Sequence, residues 1–266
     1  MEMLAKDKAL DGVKLFVLDM DGTVYLGDQP IDGSLDFIRQ VEEDPDRDYI
    51  FFTNNASKVP AVYVDKLHKM GLEITEDKVV TAGDVCAEYL KENYPGAAVY
   101  LNGTPVLEDN WTKKGIRLVK EDPDVCVQSF DTTLTYEKLD RICHYVRNGV
   151  PFISTHMDTN CPTEYGFMPD SGAMCALITE STGVKPKFLG KPWKETVDML
   201  EEITGVKAAE MAFVGDRLYT DVRTGVDNGA RGFLVLTGEA DMNTVAESDV
   251  EPTCIYDSLK EMKEYL

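Results

Sequence analysis

Three apolar runs in this chain break off abruptly into small polar or acidic residues. Val13-Lys14-Leu15-Phe16-Val17-Leu18 gives way to Asp19-Met20-Asp21-Gly22-Thr23, Tyr49-Ile50-Phe51-Phe52 to Thr53-Asn54-Asn55, and Met211-Ala212-Phe213-Val214 to Gly215-Asp216 with Thr220-Asp221 close behind. Between them lie stretches with apolar residues at helical spacing: Leu35, Ile38 and Val41 after Gly33-Ser34; Ala61, Val64, Leu67 and His68 before Gly71; Val197, Leu200 and Ile203 after Trp193. Continuous apolar strands alternating with amphipathic helices predict an α/β fold with a parallel sheet covered on both faces. In such sheets ligands bind beyond the carboxyl ends of the strands, where the polar residues of this chain cluster.

The first strand end carries the most chemistry. Side chains at i and i+2 of a strand point the same way, so Asp19 and Asp21 repel unless a cation or a shared proton offsets them. Gly22 lets backbone approach an anion closely. Together the five residues offer metal ligands and an anion cradle. Each motif also has a bland explanation: an acidic turn at residues 19–23, an Asn-Asn turn at 54–55, a solvated Lys191 before Pro192, and a loop with an N-cap at 215–221. Their order at successive strand ends argues for a shared site instead.

A length of 266 residues allows one large or two moderate domains at roughly 150 residues each. The middle third repeats the alternation, with strand candidates at 97–101, 125–127 and 151–154 and a helix over 136–147 that ends at Asn148-Gly149, but without a second acid pair. The expected organisation is therefore a core of residues 1–80 and 187–266 interrupted by an α/β unit of residues 81–186.

The formal charge of −21 argues against a nucleic-acid partner, which needs clustered Lys and Arg. It also repels phosphate anions, though screening confines that field to roughly 8 Å at physiological salt. A phosphate site here must therefore win locally, with a divalent cation and a few placed donors. No stretch approaches the ~20 apolar residues of a membrane helix, and Met1 to Asp11 lacks a signal peptide's apolar core. Six cysteines without C-x-x-C spacing fit buried thiols in a reducing compartment, so a cytoplasmic location is expected.

Asp19-x-Asp21-Gly22-Thr23-Val24, Thr53-Asn54-Asn55, Lys191-Pro192 and Gly215-Asp216-Arg217-Leu218-Tyr219-Thr220-Asp221 together resemble, in order, the four signature motifs of the haloacid dehalogenase (HAD) superfamily of phosphatases. The wording is similar to the NagD or p-nitrophenyl phosphatase-like branch, which carries a large α/β cap of the C2 type between its second and third motifs. The resemblance implies a Rossmann-like doubly wound core with that cap inserted. It also implies an Mg2+-dependent phosphatase acting on small phosphate monoesters, such as sugar phosphates or nucleoside monophosphates, with p-nitrophenyl phosphate as an artificial substrate.

In that family's pattern Asp19 is the nucleophile and forms an aspartyl-phosphate, and Asp21 is general acid and then general base. Asp19, the Asp21 backbone carbonyl and Asp216 bind Mg2+, and Asp221 orients metal-bound water or Lys191. Gly22 N–H, the Thr53 hydroxyl, Asn54 N–H and Lys191 hold the phosphoryl oxygens, with Asn55 as a neighbour. A homodimer through the cap is a further implication. Thr155-His156-Met157-Asp158 and the segment from Pro162 to Gly172-Ala173 match the branch's cap stretch, with His156-Met157 in place of Asn-Pro and Asp170-Ser171 in place of a glycine and its neighbour. His156 is read equally as a structural residue or a substrate contact. Two alternatives remain beside hydrolysis: a catalytically silent phosphosugar-binding protein on the same fold, and a phosphomutase.

Overall fold

The computed structural model describes residues 3–163 and 166–266. The chain divides into two compact units. One comprises the chain up to Thr53, Tyr63–Val80 and Lys191–Leu266; the other comprises Asn54–Val62 and Thr81–Gly190. The second unit thus takes in nine residues after Thr53 and extends past Pro186, because strand Lys187–Phe188 pairs with Phe152–Ser154 in its sheet.

The first unit is built on a six-stranded sheet in the order Cys254–Tyr256, Arg231–Val235, Met211–Gly215, Leu15–Leu18, Asp48–Thr53, Val79–Thr81. Numbered along the chain, these strands run 6-5-4-1-2-3, the Rossmann order. Neighbours from Cys254–Tyr256 to Asp48–Thr53 pair in parallel. Every residue of Leu15–Leu18 and Met211–Gly215 is buried, as strands covered on both faces must be. Helix Ser34–Glu43 buries Ser34, Phe37, Ile38 and Val41, one stripe at helical period. Phe16, Leu18, Phe37, Phe51 and Leu67 meet in the core beneath it.

The order of strand connection reverses between Leu15–Leu18 and Met211–Gly215, which makes that parallel pair the switch point of the sheet. Register places Leu18 beside Val214, and Asp19 N–H donates to the Val214 carbonyl at 2.8 Å. Asp19 and Asp216 therefore leave neighbouring strands at the same level.

The second unit has a five-stranded sheet in the order Lys187–Phe188, Phe152–Ser154, Val125–Gln128, Ala98–Asn102, Arg117–Leu118, all paired in parallel. Its strands run 5-4-3-1-2 along the chain, the flavodoxin-like order. Helix Tyr136–Arg147, capped by Thr135, and helix Ser171–Thr182, capped by Asp170, pack Ile142, Cys143, Cys175 and Ile178 against Tyr100 and Cys126. A hairpin of Asn160–Thr163 and Gly166–Pro169 stands apart from this sheet. Among the described residues none of the six cysteines forms a disulfide, and five of them are buried.

Candidate active site

Lys191 sits in the middle of the first unit's polar cluster and is only 3 % exposed. Its Nζ donates to Asp19 Oδ1 at 2.7 Å, to Asp221 Oδ1 at 2.5 Å and to the Phe52 carbonyl at 3.2 Å. The last bond ties the lysine to the end of strand Asp48–Thr53, one peptide before Thr53. Burial alone would lower the Lys191 pKa, but the Asp19 and Asp221 carboxylates outweigh it and hold the ammonium above the ordinary range. A surface lysine before a proline would have shown none of these contacts.

Asp19, Asp216 and Asp221 each offer a carboxylate oxygen within 4.8 Å of the others, the only such acidic group among the described residues. Their roles differ. Both Asp221 oxygens are engaged, Oδ1 by Lys191 and Oδ2 by Arg217 N–H at 3.1 Å. That second bond is made across the π-helical turn Leu218–Val222, which folds Asp221 back beneath its own strand end. π-turns of this kind often mark functional sites. Asp216 Oδ2 accepts from Glu239 N–H at 2.7 Å, whereas Asp216 Oδ1 is buried without a hydrogen-bond partner among the described residues.

An orphaned buried carboxylate oxygen is costly unless something compensates it. An all-oxygen set with Asp19 alongside suits a hard divalent cation, so these residues fit one. With no cation in the balance, burial first, and then the neighbouring carboxylates, push Asp19 up to about 8 against the pull of Lys191. Burial and Asp221 push Asp216 up to about 6.

Glycines make the room. A Cβ on Gly22 would lie 2.4 Å from Asp216 Oδ2, and one on Gly238 would lie 2.0 Å from the same oxygen. Gly22 also has φ +90, a conformation that favours glycine. Its N–H, expected to be a phosphoryl donor, donates to the Tyr25 carbonyl at 2.8 Å in this structure. What Gly22 supplies is space beside Asp216.

Thr53 ends its strand partly exposed, and Asp21 is exposed at the start of its turn, its carboxylate outside the three-acid group. Asn54 and Asn55 fall in the second unit. There Asn54 Nδ2 donates to Asp158 Oδ2 at 2.7 Å. The Asn55 carboxamide oxygen accepts from both Ser57 N–H and the Ser57 hydroxyl, which is the local turn its residue type favours. The Asn55 oxygen is thus engaged in its own loop, while its Nδ2 donates to Cys161 Sγ at 3.8 Å. His156 is fully buried, with Nε2 2.8 Å from Asp170 Oδ1 and Nδ1 2.9 Å from the Thr155 hydroxyl, a structural placement.

Sequence reasoning missed the segment Thr237-Gly238-Glu239. Thr237 Oγ1 donates to the Gly22 carbonyl at 2.6 Å, Gly238 makes room for Asp216, and Glu239 bonds Asp216 through its N–H and pairs with Arg217 at 2.9 Å. Its only signal was a Thr-Gly pair after an apolar run, which reads equally well as a plain turn.

Strand order and switch-point cluster define a Rossmann-like α/β enzyme. Residues 16–117 match the family model described as haloacid dehalogenase-like hydrolase, and residues 188–262 match a second HAD-hydrolase-like model. An acid sugar phosphatase of Staphylococcus aureus is 37 % identical over 254 residues, covering 93 % of this chain and 96 % of the relative. The crystal structure of a 4-nitrophenylphosphatase from Thermotoga maritima superposes with a TM-score of 0.92 at 42 % identity, over 96 % of this chain and 98 % of that one. A glycerol phosphate phosphatase from Mycobacterium tuberculosis, solved in complex with calcium, gives a TM-score of 0.88 at 29 % identity, over 96 % and 76 % of the two chains. The chain belongs to the haloacid dehalogenase-like hydrolases, in the NagD and p-nitrophenyl phosphatase-like branch, and is a phosphoric monoester hydrolase.

Proposed function

We propose that this enzyme hydrolyses small phosphate monoesters, sugar phosphates foremost, through an aspartyl-phosphate on Asp19 with Mg2+ as its cation. The observation that carries the reading is the buried Asp216 Oδ1, which has no hydrogen-bond partner among the described residues, beside Asp19 and Lys191. The relatives named as acid sugar phosphatases support the substrate class, and the calcium-bound relative supports a divalent ion.

In this mechanism a carboxylate oxygen of Asp19 forms a bond to phosphorus as the ester P–O bond breaks. Asp21 protonates the departing oxygen, then takes a proton from the water that attacks phosphorus and frees Asp19. Lys191 and the Thr53 hydroxyl hold phosphoryl oxygens, and Asp221 keeps the ammonium in place through its 2.5 Å contact. Asp19, Asp216 and the Asp21 backbone carbonyl would hold Mg2+, which when bound offsets the negative charge of acids and phosphate. The second unit serves as the family's α/β cap, and its buried free thiols favour a cytoplasmic setting.

The test is release of inorganic phosphate from a panel of sugar phosphates and nucleoside monophosphates, with Mg2+ and with chelator. Release that needs Mg2+ and is fastest for sugar phosphates is expected. Chelator-insensitive turnover, or no turnover of any monoester, would sink the reading. Transfer to a second sugar hydroxyl rather than water would make the enzyme a mutase.

A further inference from the structure

Asp21 is exposed, and its backbone is held through Tyr25. Tyr25 N–H donates to the Met20 carbonyl at 3.1 Å, the Tyr25 carbonyl accepts from Gly22 N–H at 2.8 Å, and Asp21 and Tyr25 form an isolated β-bridge. The turn therefore closes on Tyr25 from both sides of Asp21. From there the short hairpin Tyr25–Leu26 and Gln29–Pro30 leads away. The Tyr25 ring is 3 % exposed, and Lys66, on helix Pro60–Lys69, places its ammonium 3.8 Å from the ring centroid. The same Nζ lies 3.9 Å from Asp28 Oδ1 on the hairpin, a carboxylate that is 94 % exposed.

We propose that Lys66, seated on the Tyr25 ring, is a positioning residue for Asp21: it fixes the turn of residues 20–25 and so the aim of the catalytic acid. The inference rests on the assignment of Asp21 as general acid. Two geometric facts favour the ring over Asp28 as the working partner of Lys66. The ring contact is short and largely desolvated, the condition under which a cation–π contact is strongest. The contact to Asp28 is long and solvent-screened, where ion pairs contribute little.

A positioning role for the acid has a signature that general loosening of the fold lacks. An activated ester such as p-nitrophenyl phosphate needs little protonation of its leaving oxygen, whereas an alkyl ester such as glucose 6-phosphate needs it fully. The experiment measures kcat and KM on both esters for Lys66→Met, Lys66→Arg, Asp28→Asn and Tyr25→Phe, with Asp21→Asn as reference. Lys66→Met is expected to lower kcat on glucose 6-phosphate about tenfold, with p-nitrophenyl phosphate and both KM values changed by less than about twofold. Lys66→Arg, which keeps the cation over the ring, restores turnover, and Tyr25→Phe and Asp28→Asn leave it near the parent value.

Equal losses on both esters, no loss, or failure of Lys66→Arg to rescue would overturn the proposal. If Asp21→Asn itself slows both esters equally, the assignment of Asp21 as the acid falls first. If Asp21→Asn shows the leaving-group bias and Lys66→Met does not, the Lys66 proposal alone falls. Tyr25→Phe guards against misfolding, since it keeps the buried ring and removes only the hydroxyl.

Discussion

Each unit of this enzyme has a parallel sheet with a topological switch point, yet only one of the two presents acids there. In the first unit the switch lies between Leu15–Leu18 and Met211–Gly215, and the residues beyond the strands are Asp19 and Asp216. In the second it lies between Ala98–Asn102 and Val125–Gln128, and the strands end in neutral amides. Asn102 Nδ2 donates to Gln128 Oε1 at 3.1 Å, and Gln128 Nε2 donates to the Ser129 carbonyl at 2.7 Å. Next along, Ser154 and Ser171 share a 3.0 Å hydroxyl contact. One of the second unit's buried acids, Asp131, is paired with Lys138 at 2.7 Å. Topology thus supplies the crevice in both sheets, but the chemistry follows from charge. The first gathers three carboxylates around a lysine, whereas the second is lined by neutral amides, one of whose oxygens, Asn102 Oδ1, is also without a hydrogen-bond partner among the described residues.

The sharpest way to break this comparison is Asp19→Asn. Turnover should fall by roughly 10³ or more, while the thermal midpoint stays the same or rises, because a desolvated carboxylate beside two others is removed. Near-parent phosphate release by that variant would make the first switch point as inert as the second. Gly238→Ala comes next, since its Cβ would press on Asp216. We expect kcat to drop about 100-fold, together with loss of the thermal shift on adding Mg2+, because small misplacements in such sites are costly. A variant that still binds Mg2+ normally would show that Asp216 is not held as tightly as the glycines imply.

A smaller, graded effect is expected with pH. Carboxyls raised to about 6 and about 8 hold protons in the folded state that the unfolded chain, near pH 4, has released. Folded-state stability in chelator should therefore fall as pH rises from about 4 to 8, and stabilisation by Mg2+ should grow over the same window. Calorimetry at pH 5 and pH 8 gives the answer; an Mg2+ shift as large at pH 5 would contradict it. Gln128→Ala should touch catalysis least. It removes the nearer of two acceptors of the buried Asn102 Nδ2 and should cost about 1–3 kcal/mol of stability while kcat on p-nitrophenyl phosphate stays within about threefold. A large kcat loss at unchanged stability would give the second switch point a chemical role after all.

The sequence exposed the charged switch point well because acids at the ends of apolar runs are locally visible: Asp19, Asp216 and Asp221 all stand where a strand pattern stops. Lys191 was legible only through motif order, since its buried contacts to Asp19, Asp221 and Phe52 span distant parts of the chain. Gly238 was not legible, because a glycine's value here is the absence of a methyl group near Asp216, which no local pattern records. The bond from Gly22 N–H to the Tyr25 carbonyl was not legible for a related reason: it depends on how the following turn closes. Helices Ala82–Asn93 and Pro105–Lys113 were not read from the sequence, although Thr81 with Asp84 and Thr104 before Pro105 cap them. These capping signals are weak until the long-range packing is known.

Segment Asn54–Val62 makes the second unit hard to transplant. Its carbonyls at Ala56 and Ser57 accept from the hydroxyls of Ser129 and Thr104, and its Asn54 is bound to Asp158. Excising Thr81–Gly190 as a cassette would leave those groups without the partners they fold against. An exchange of this unit between relatives must therefore carry two separate stretches of chain, and the nine-residue stretch begins one peptide after Thr53.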